Sequence, residues 1–207
     1  MNTEPTTDVD VVGIAGELSY EFGDTFTAAE IGHATTQARD ALAPHATVAT
    51  YLPVLVKRHA HELLTALAQS DGRVAKIVPE LLFVCVQNAG RSQMAAAIAE
   101  HLAAGKVHVR SAGSRPTGEV NPAAIEVLAE RGIDLTDAYP KPLSDNVLHA
   151  ADVIITMGCG DECPYFPGKR YEDWEVADPD GRPLDEVRDI RDDIQARITQ
   201  LLRELDI

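Results

Sequence analysis

The sequence has 207 residues, a length that suits one sizeable domain with a smaller one attached. Hydrophobic residues make up 45% of it and charged residues 25%, which is typical of a globular protein with a buried core and argues against a disordered chain. The formal net charge of -15 argues against a nucleic-acid partner, because the overall field would repel phosphates. Any anion site must therefore be local.

No apolar run approaches the roughly 18 residues of a membrane span, and the first residues lack the basic and apolar regions of a signal peptide. We therefore expect a cytoplasmic protein that does not bind a membrane. The sequence contains three cysteines: Cys85, Cys159 and Cys163. An odd number of thiols in a reducing compartment is not expected to form a permanent disulfide framework, so each is either inert or redox-active.

The part of the chain before residue 79 predicts three helices and no strand. The first is indicated by apolar residues at every fourth position, which are Leu18, Phe22 and Phe26. The second and third cover 28–43, where Thr27 is a suitable N-cap, and 51–68. We expect a helical module over 1–78 and a second domain over 79–207. Such a small module buries little apolar surface by itself, so it should dock on the second domain or on a second subunit, and a homodimer is the preferred hypothesis.

From Glu80 onward, short apolar runs alternate with helical stretches, a pattern typical of βαβ units around a parallel sheet. The predicted strands cover 81–84, 107–110, 152–157 and 170–176. The predicted helices cover 92–104, 121–131 and 183–205. The fold class is therefore α/β, with a flavodoxin-like, four-stranded parallel sheet that carries helices on both faces.

A loop with unusual chemistry follows the first predicted strand. Cys85 ends that strand, Arg91 comes six positions later, and a helix begins immediately afterwards. Backbone N–H groups in such a turn and at the helix N-terminus point into one concavity, where they bind an oxyanion and stabilise a thiolate. The planar fork of Arg91 matches two oxygens of a tetrahedral oxyanion. The predicted oxyanion-binding residues are Val86, Gln87, Asn88, Ala89, Gly90, Arg91 and Ser92.

Two of these loop residues also suit internal roles. Asn88 can form hydrogen bonds within the loop and tolerates a left-handed conformation, and Ser92 can donate its hydroxyl to Cys85. A cysteine alone is more often a small, buried hydrophobic residue. The combination of a strand, Cys85, Arg91 and a helix favours function.

The pattern Cys85-x-x-Asn88-x-x-Arg91-Ser92 resembles the phosphate loop of low-molecular-weight protein tyrosine phosphatases. The continuation Gln93-Met94-Ala95 resembles the arsenate reductases that share their fold. The resemblance covers about residues 80–205. It implies that Cys85 is the nucleophile that attacks arsenate or a phosphate-like oxyanion. It also implies that Asp178, in an Asp-Pro pair before the last helix, is the general acid, although Asp-Pro and Asp-Gly pairs are also ordinary turn formers.

The same resemblance implies a redox role for Cys159 and Cys163, which follow the third predicted strand. One of them would displace arsenite by forming a disulfide with Cys85, and the other would pass that disulfide to thioredoxin. Their order stays open. Similar enzymes use mycothiol with mycoredoxin instead, so both reductants are retained, and no tightly bound cofactor is expected. Two cysteines supply only half of a zinc shell, so we predict no metal.

Two alternatives remain open. A phosphotyrosine phosphatase needs the same loop and acid, but Asp180 stands where such phosphatases tend to have an aromatic residue after the Asp-Pro pair. A thiol-based sensor of arsenite or of redox state would use the three cysteines but would not need Arg91 or Asp178. Asp180 therefore favours the reductase over the phosphatase, and the presence of Arg91 and Asp178 favours it over the sensor.

Overall fold

The computed structural model describes residues 9–45, 49–116, 118–158 and 165–207. The chain divides into two compact units between Ala75 and Lys76. The described residues of the first unit form three α-helices, as the sequence predicts. These are α1 (Val11–Phe22), α2 (Ala28–Leu42) and α3 (Leu52–Ser70), and two single-turn 3-10 helices, Ala43–His45 and Ala49–Tyr51, lie between α2 and α3.

Side chains at the helix starts explain where α1 and α2 begin. The Asp10 carboxylate accepts a hydrogen bond from Gly13 N at 2.9 Å. At α2, Thr27 Oγ1 accepts from Glu30 N at 3.3 Å and the Glu30 carboxylate accepts from Thr27 N at 2.7 Å, which completes a capping box. The residues buried between the three helices include Leu18, Ile31, Leu52, Val56, Leu63 and Leu64.

The described residues of the second unit form four strands and four helices. In chain order they are β1 (Glu80–Cys85), α4 (Arg91–Ala103), β2 (His108–Gly113), α5 (Pro122–Ala129), α6 (Asp145–Ala150), β3 (Val153–Met157), β4 (Arg170–Asp173) and α7 (Leu184–Glu204). The strands form one parallel sheet in the order β2-β1-β3-β4. The predicted four-stranded parallel sheet is therefore confirmed.

Strand β1 lies inside the sheet and is buried along its whole length. Leu81, Phe83 and Cys85 join the core formed with α4, α5 and α7. Leu82 and Val84 are fully buried as well and point to the opposite face, because side chains alternate along a strand. The neighbours β2 and β3 lie on either side of β1, so the carboxyl end of β1 is a switch point, where ligands of such sheets bind.

A buried ion cluster lies at the other end of β1. Glu80 is 1% exposed, and its carboxylate is 3.0 Å from Arg110 Nε and 2.9 Å from His108 Nδ1. Burial acts to raise the pKa of Glu80, but the contacts with His108 and Arg110 outweigh it and lower that pKa to about 2. A carboxylate this deeply buried is stable only because it is paired.

Two local expectations need correction, and one helix was not predicted. Helix α1 ends at Phe22, and Phe26 packs beside it from the following turn, with ring centroids 6.2 Å apart. Strand β4 ends at Asp173, before the predicted residue 176. Helix α6 is not predicted, because its six residues are too few for a clear apolar period. None of the helices formed by the described residues has the length and apolar character needed to span a membrane.

Candidate active site

The loop between β1 and α4 encloses a pocket at the carboxyl end of the sheet. Asn88 has a φ of 52°, so the chain makes a left-handed turn there before Gly90 caps α4. The pocket has a volume of about 180 Å³ and is lined by Cys85, Val86, Gln87, Gly90, Arg91 and Asp178. None of these lining residues is aromatic. The structure thus brings the predicted nucleophile, arginine and acid around one cavity.

The Cys85 thiol forms a short contact with Ser92. Its Sγ lies 3.0 Å from Ser92 Oγ, and Asn88 Nδ2 donates to the same hydroxyl oxygen at 2.8 Å. Because Ser92 Oγ accepts from Asn88, its own hydrogen is available to be donated to Cys85. A hydroxyl donor at this distance holds the Cys85 sulfur in a defined position.

Arg91, in the first turn of α4, lines the pocket beside Asp178. Its Nη2 donates to the Asp178 carboxylate at 2.7 Å, and its Nη1 donates to Val176 O at 3.4 Å. The Arg91 side chain is 13% exposed, whereas that of Asp178 is 54% exposed. The guanidinium is therefore held in place while the carboxyl group remains open to solvent and to substrate.

The segment that carries Asp178 is fixed against the oxyanion loop. Asp178 Oδ1 accepts from Asp180 N at 3.1 Å, and Asp178 O accepts from Arg182 Nε at 2.6 Å. Pro179 packs so closely on Gly90 that a Cβ at that glycine would lie 2.6 Å from Pro179 Cγ. The Asp-Pro pair thus forms part of a turn, which was one of its two interpretations from the sequence. The Asp178 side chain also lines the pocket, as the other interpretation requires.

Not every residue predicted to bind the oxyanion lines the pocket. Asn88, Ala89 and Ser92 are buried, and none of the three is among the lining residues. Cys159 and Cys163 lie outside the described residues. Within the described ranges no three His, Cys, Asp or Glu side chains are grouped so that they could hold a metal ion, and the predicted absence of a metal stays a prediction.

Two glycines at strand ends, which are not among the predicted site residues, also border the Cys85 loop. A Cβ on Gly113, which ends β2, would lie 2.7 Å from Val86 O. A Cβ on Gly158, which follows β3 with a φ of 75°, would lie 2.7 Å from Arg91 Nη1. Both glycines let a neighbouring strand end approach the Cys85 loop closely. Their position at the carboxyl ends of two predicted strands was the feature of the sequence that could have placed them near the site.

Two family models match the chain. The model described as "Low molecular weight phosphotyrosine protein phosphatase" matches residues 80–207, and the one described as "Protein-tyrosine-phosphatase-like, N-terminal domain" matches residues 13–68.

Individual relatives are similar over one or both units. A putative arsenate reductase of Halobacterium salinarum is 39% identical over 127 residues, which cover 59% of this chain and 89% of that protein. A glutaredoxin arsenate reductase of Synechocystis is 35% identical over 129 residues, which cover 61% of this chain and 98% of that protein. The solved structure of a thioredoxin-dependent arsenate reductase of Corynebacterium glutamicum matches with a TM-score of 0.86 at 43% identity, covering 95% of this chain and 96% of that one.

The family model matches more than half of the chain, and the matched part contains the sheet, the Cys85 loop and the Asp178 turn. The chain belongs to the low molecular weight phosphotyrosine protein phosphatase family.

Proposed function

We propose that the protein is an arsenate reductase that uses Cys85 as its nucleophile. The observation that carries the proposal is the 43% identity to a thioredoxin-dependent arsenate reductase over 95% of this chain, which includes the helical unit. The pocket geometry supports it, because a thiol, a guanidinium and a carboxyl group surround a cavity large enough for a tetrahedral oxyanion. The thiol, the guanidinium and the carboxyl group would also serve a phosphatase.

In the first step, the Cys85 thiolate attacks the arsenic atom of arsenate. Arg91 Nη2 donates to Asp178 in this structure, and we propose that the incoming oxyanion replaces that carboxylate as its acceptor. The freed Asp178 carboxyl group can then carry a proton and give it to the departing oxygen, which leaves as water. The products are a covalent Cys85 thiol-arsenate adduct and one water molecule.

In the second step, the thiolate of Cys159 or Cys163 attacks Cys85 Sγ. The electron pair of the sulfur–arsenic bond moves to arsenic, which leaves as arsenite, and a disulfide with Cys85 forms. The remaining thiolate then attacks this disulfide, releases Cys85 and leaves Cys159 and Cys163 joined. Arsenic gains two electrons and two thiols lose them, so an external dithiol must close the cycle.

We propose thioredoxin as that dithiol, and the mycothiol and mycoredoxin system as the alternative. The similarity to a thioredoxin-dependent enzyme favours thioredoxin, although another relative is described as a glutaredoxin arsenate reductase. No tightly bound cofactor is needed, because the electrons pass only through thiols. The chemistry requires free thiolates and a reducing partner, so we propose the cytoplasm as the site of action.

Steady-state arsenate reduction with each reductant supplied separately tests the proposal. We expect turnover with the thioredoxin system and its loss in Cys85→Ser. Turnover that survives in the double variant Cys159→Ser and Cys163→Ser would contradict the intramolecular relay. No turnover with any thiol system would contradict the reductase function.

Phosphotyrosine hydrolysis is the second candidate, because the family model that matches residues 80–207 carries that description. The non-aromatic lining of the pocket gives a phenyl ring little to pack against among the described residues. We therefore expect hydrolysis of para-nitrophenyl phosphate to be slow relative to arsenate reduction. Efficient hydrolysis without arsenate turnover would favour the phosphatase.

We further propose that residues 1–78 and 79–207 act as separate modules and that the helical module forms a homodimer. Val12 and Tyr20 support the dimer, because they are 83% and 95% exposed and lie eight residues apart on one face of α1. Sedimentation at several concentrations should show a dimer that weakens in Tyr20→Glu. A monomer at every concentration would contradict it.

A further inference from the structure

A buried glutamine directly follows the Cys85 loop. Gln93, in the first turn of α4, is 5% exposed and does not line the pocket. Its Nε2 lies 3.0 Å from Asn88 O, 3.1 Å from Asn88 Oδ1 and 2.9 Å from Tyr139 O. On its other side, Gln93 Oε1 accepts from Ser111 Oγ at 3.5 Å.

These contacts fix the orientation of the Gln93 amide. Three oxygen acceptors surround Nε2, and a hydroxyl donor faces Oε1, so a flipped amide would place its oxygen against three others. A buried amide that satisfies neighbouring carbonyl groups has few alternative positions. Gln93 therefore joins the loop at Asn88 to the segment around Tyr139.

Asn88 is the residue that most needs such support. It adopts a left-handed conformation, with a φ of 52°, which asparagine tolerates better than most residues with a Cβ but which still costs free energy relative to glycine. Its side-chain oxygen accepts from Gln93 and from Lys141 N at 3.0 Å. With that oxygen held, Asn88 Nδ2 points to Ser92 Oγ, which contacts Cys85 Sγ. A continuous hydrogen-bonded path leads from Gln93 to the thiol.

We propose that Gln93 is a positioning residue that holds Asn88 in its left-handed conformation and, through Asn88 and Ser92, sets the hydrogen bond to Cys85. The inference rests on the proposed function in taking Cys85 as the nucleophile. Gln93 does not line the pocket and does not contact the reacting atoms. It therefore acts on catalysis through the hydrogen bond between Ser92 and Cys85. Its removal should lower the thiolate fraction of Cys85 at neutral pH.

Alkylation of Cys85 by iodoacetamide tests this directly. The experiment uses a full-length variant with Cys159→Ser and Cys163→Ser, in which Cys85 is the one remaining cysteine. In this background Gln93→Met keeps the length and volume of the side chain but removes its donor. We expect alkylation at pH 7 to slow about tenfold, and the rates to converge at high pH, because one hydrogen bond to the thiolate is lost. An unchanged pH profile in folded Gln93→Met would overturn the proposal.

Two further variants separate positioning from stability. Thr35→Val removes a buried hydroxyl that donates to Ile31 O in the helical unit, and should leave the pH profile of alkylation unchanged. Gln93→Asn, whose amide is one methylene too short to reach all three acceptors, replaces Gln93→Met if the latter does not fold. It should shift the profile in the same direction, and an unchanged profile would count against the proposal.

A double-mutant cycle tests the route through Asn88. Asn88→Gly adopts the left-handed conformation without help and has no side chain to donate to Ser92. In that background Gln93→Met should slow alkylation less than about twofold further, because the two residues act in one path. A full tenfold loss would show that Gln93 does not act through Asn88. Alkylation needs no arsenate, so a failure of the proposed reductase function would leave these results interpretable.

Discussion

Gly158 offers a perturbation that separates damage to the site from damage to the fold. It follows β3 with a φ of 75°, and a Cβ there would lie 2.7 Å from Arg91 Nη1. An ordinary contact needs about 3.4 Å, so Gly158→Ala must displace the guanidinium by roughly 0.7 Å. The atom that must yield is the end of a flexible side chain, so the fold can absorb the change while the site cannot.

The expected magnitudes follow from these two effects. An alanine at a left-handed position costs about 1 kcal/mol of unfolding free energy, which corresponds to a fall in Tm of about 2–4 °C for a chain of this size. Displacing a substrate-binding group by close to an ångström can slow catalysis by up to about 100-fold. We therefore expect kcat/KM for arsenate to fall about 10- to 100-fold in Gly158→Ala.

Gly132→Ala is the matched control. Gly132 has a φ of 73°, and a Cβ there would meet no atom within 4 Å, so it carries the same backbone strain without a neighbour in the site. Thermal melts should show similar losses of stability in the two variants, while arsenate kinetics should be slow only in Gly158→Ala. Equal kinetics in both variants would refute the role given to the contact between Gly158 and Arg91.

Three further predictions concern the acid, the buried ion cluster and a helix cap. Asp178→Asn removes the proton donor, so kcat should fall about 100-fold. It also removes the carboxylate that competes with the oxyanion for Arg91, so phosphate should inhibit at least as strongly as in the native chain. Weaker phosphate inhibition would contradict the replacement of Asp178 by the oxyanion at Arg91. Folding lowers the pKa of Glu80 from 4.5 to about 2. The ionised Glu80 therefore adds to the free energy of unfolding above pH 4.5, and this contribution is lost as the pH falls toward 2. This contribution is about 3 kcal/mol. Urea unfolding at a series of pH values should therefore show a steeper loss of stability below pH 4.5 in the native chain than in Glu80→Gln, where the other carboxyl groups with lowered pKa values still contribute. Thr27→Ala removes the capping box and should lower the free energy of unfolding by about 1 kcal/mol, as measured by urea unfolding. An unchanged free energy would mean that α2 begins independently of its cap.

The sequence predicted the parts of the site that depend on local structure. Cys85 and Arg91 are six positions apart in one loop, and a strand before them and a helix after them already determine that they share a concavity. The Thr27 cap and the parallel sheet were predicted for the same reason, since each depends on a short, regular pattern. Asp178 was found only through the family resemblance, because an Asp-Pro pair is by itself an ordinary turn.

Other features could not be predicted because they depend on contacts between distant segments. Gly158 is 67 positions from Arg91, and only the sheet order β2-β1-β3-β4 brings the end of β3 to the arginine. The acceptor at Tyr139 lies 46 positions from Gln93. No periodicity in the sequence encodes which carbonyl group a buried amide meets. The pairing of Arg91 with Asp178 is likewise a property of the folded pocket.

The proposed reductase mechanism requires Cys85 to transfer electrons to arsenate. The most direct measurement incubates the fully reduced chain with arsenate, without any reductant, and counts arsenite and free thiols. The mechanism predicts about one arsenite released and two thiols lost per chain, and neither in Cys85→Ser. Release of arsenite by Cys85→Ser, or none by the native chain, would contradict it.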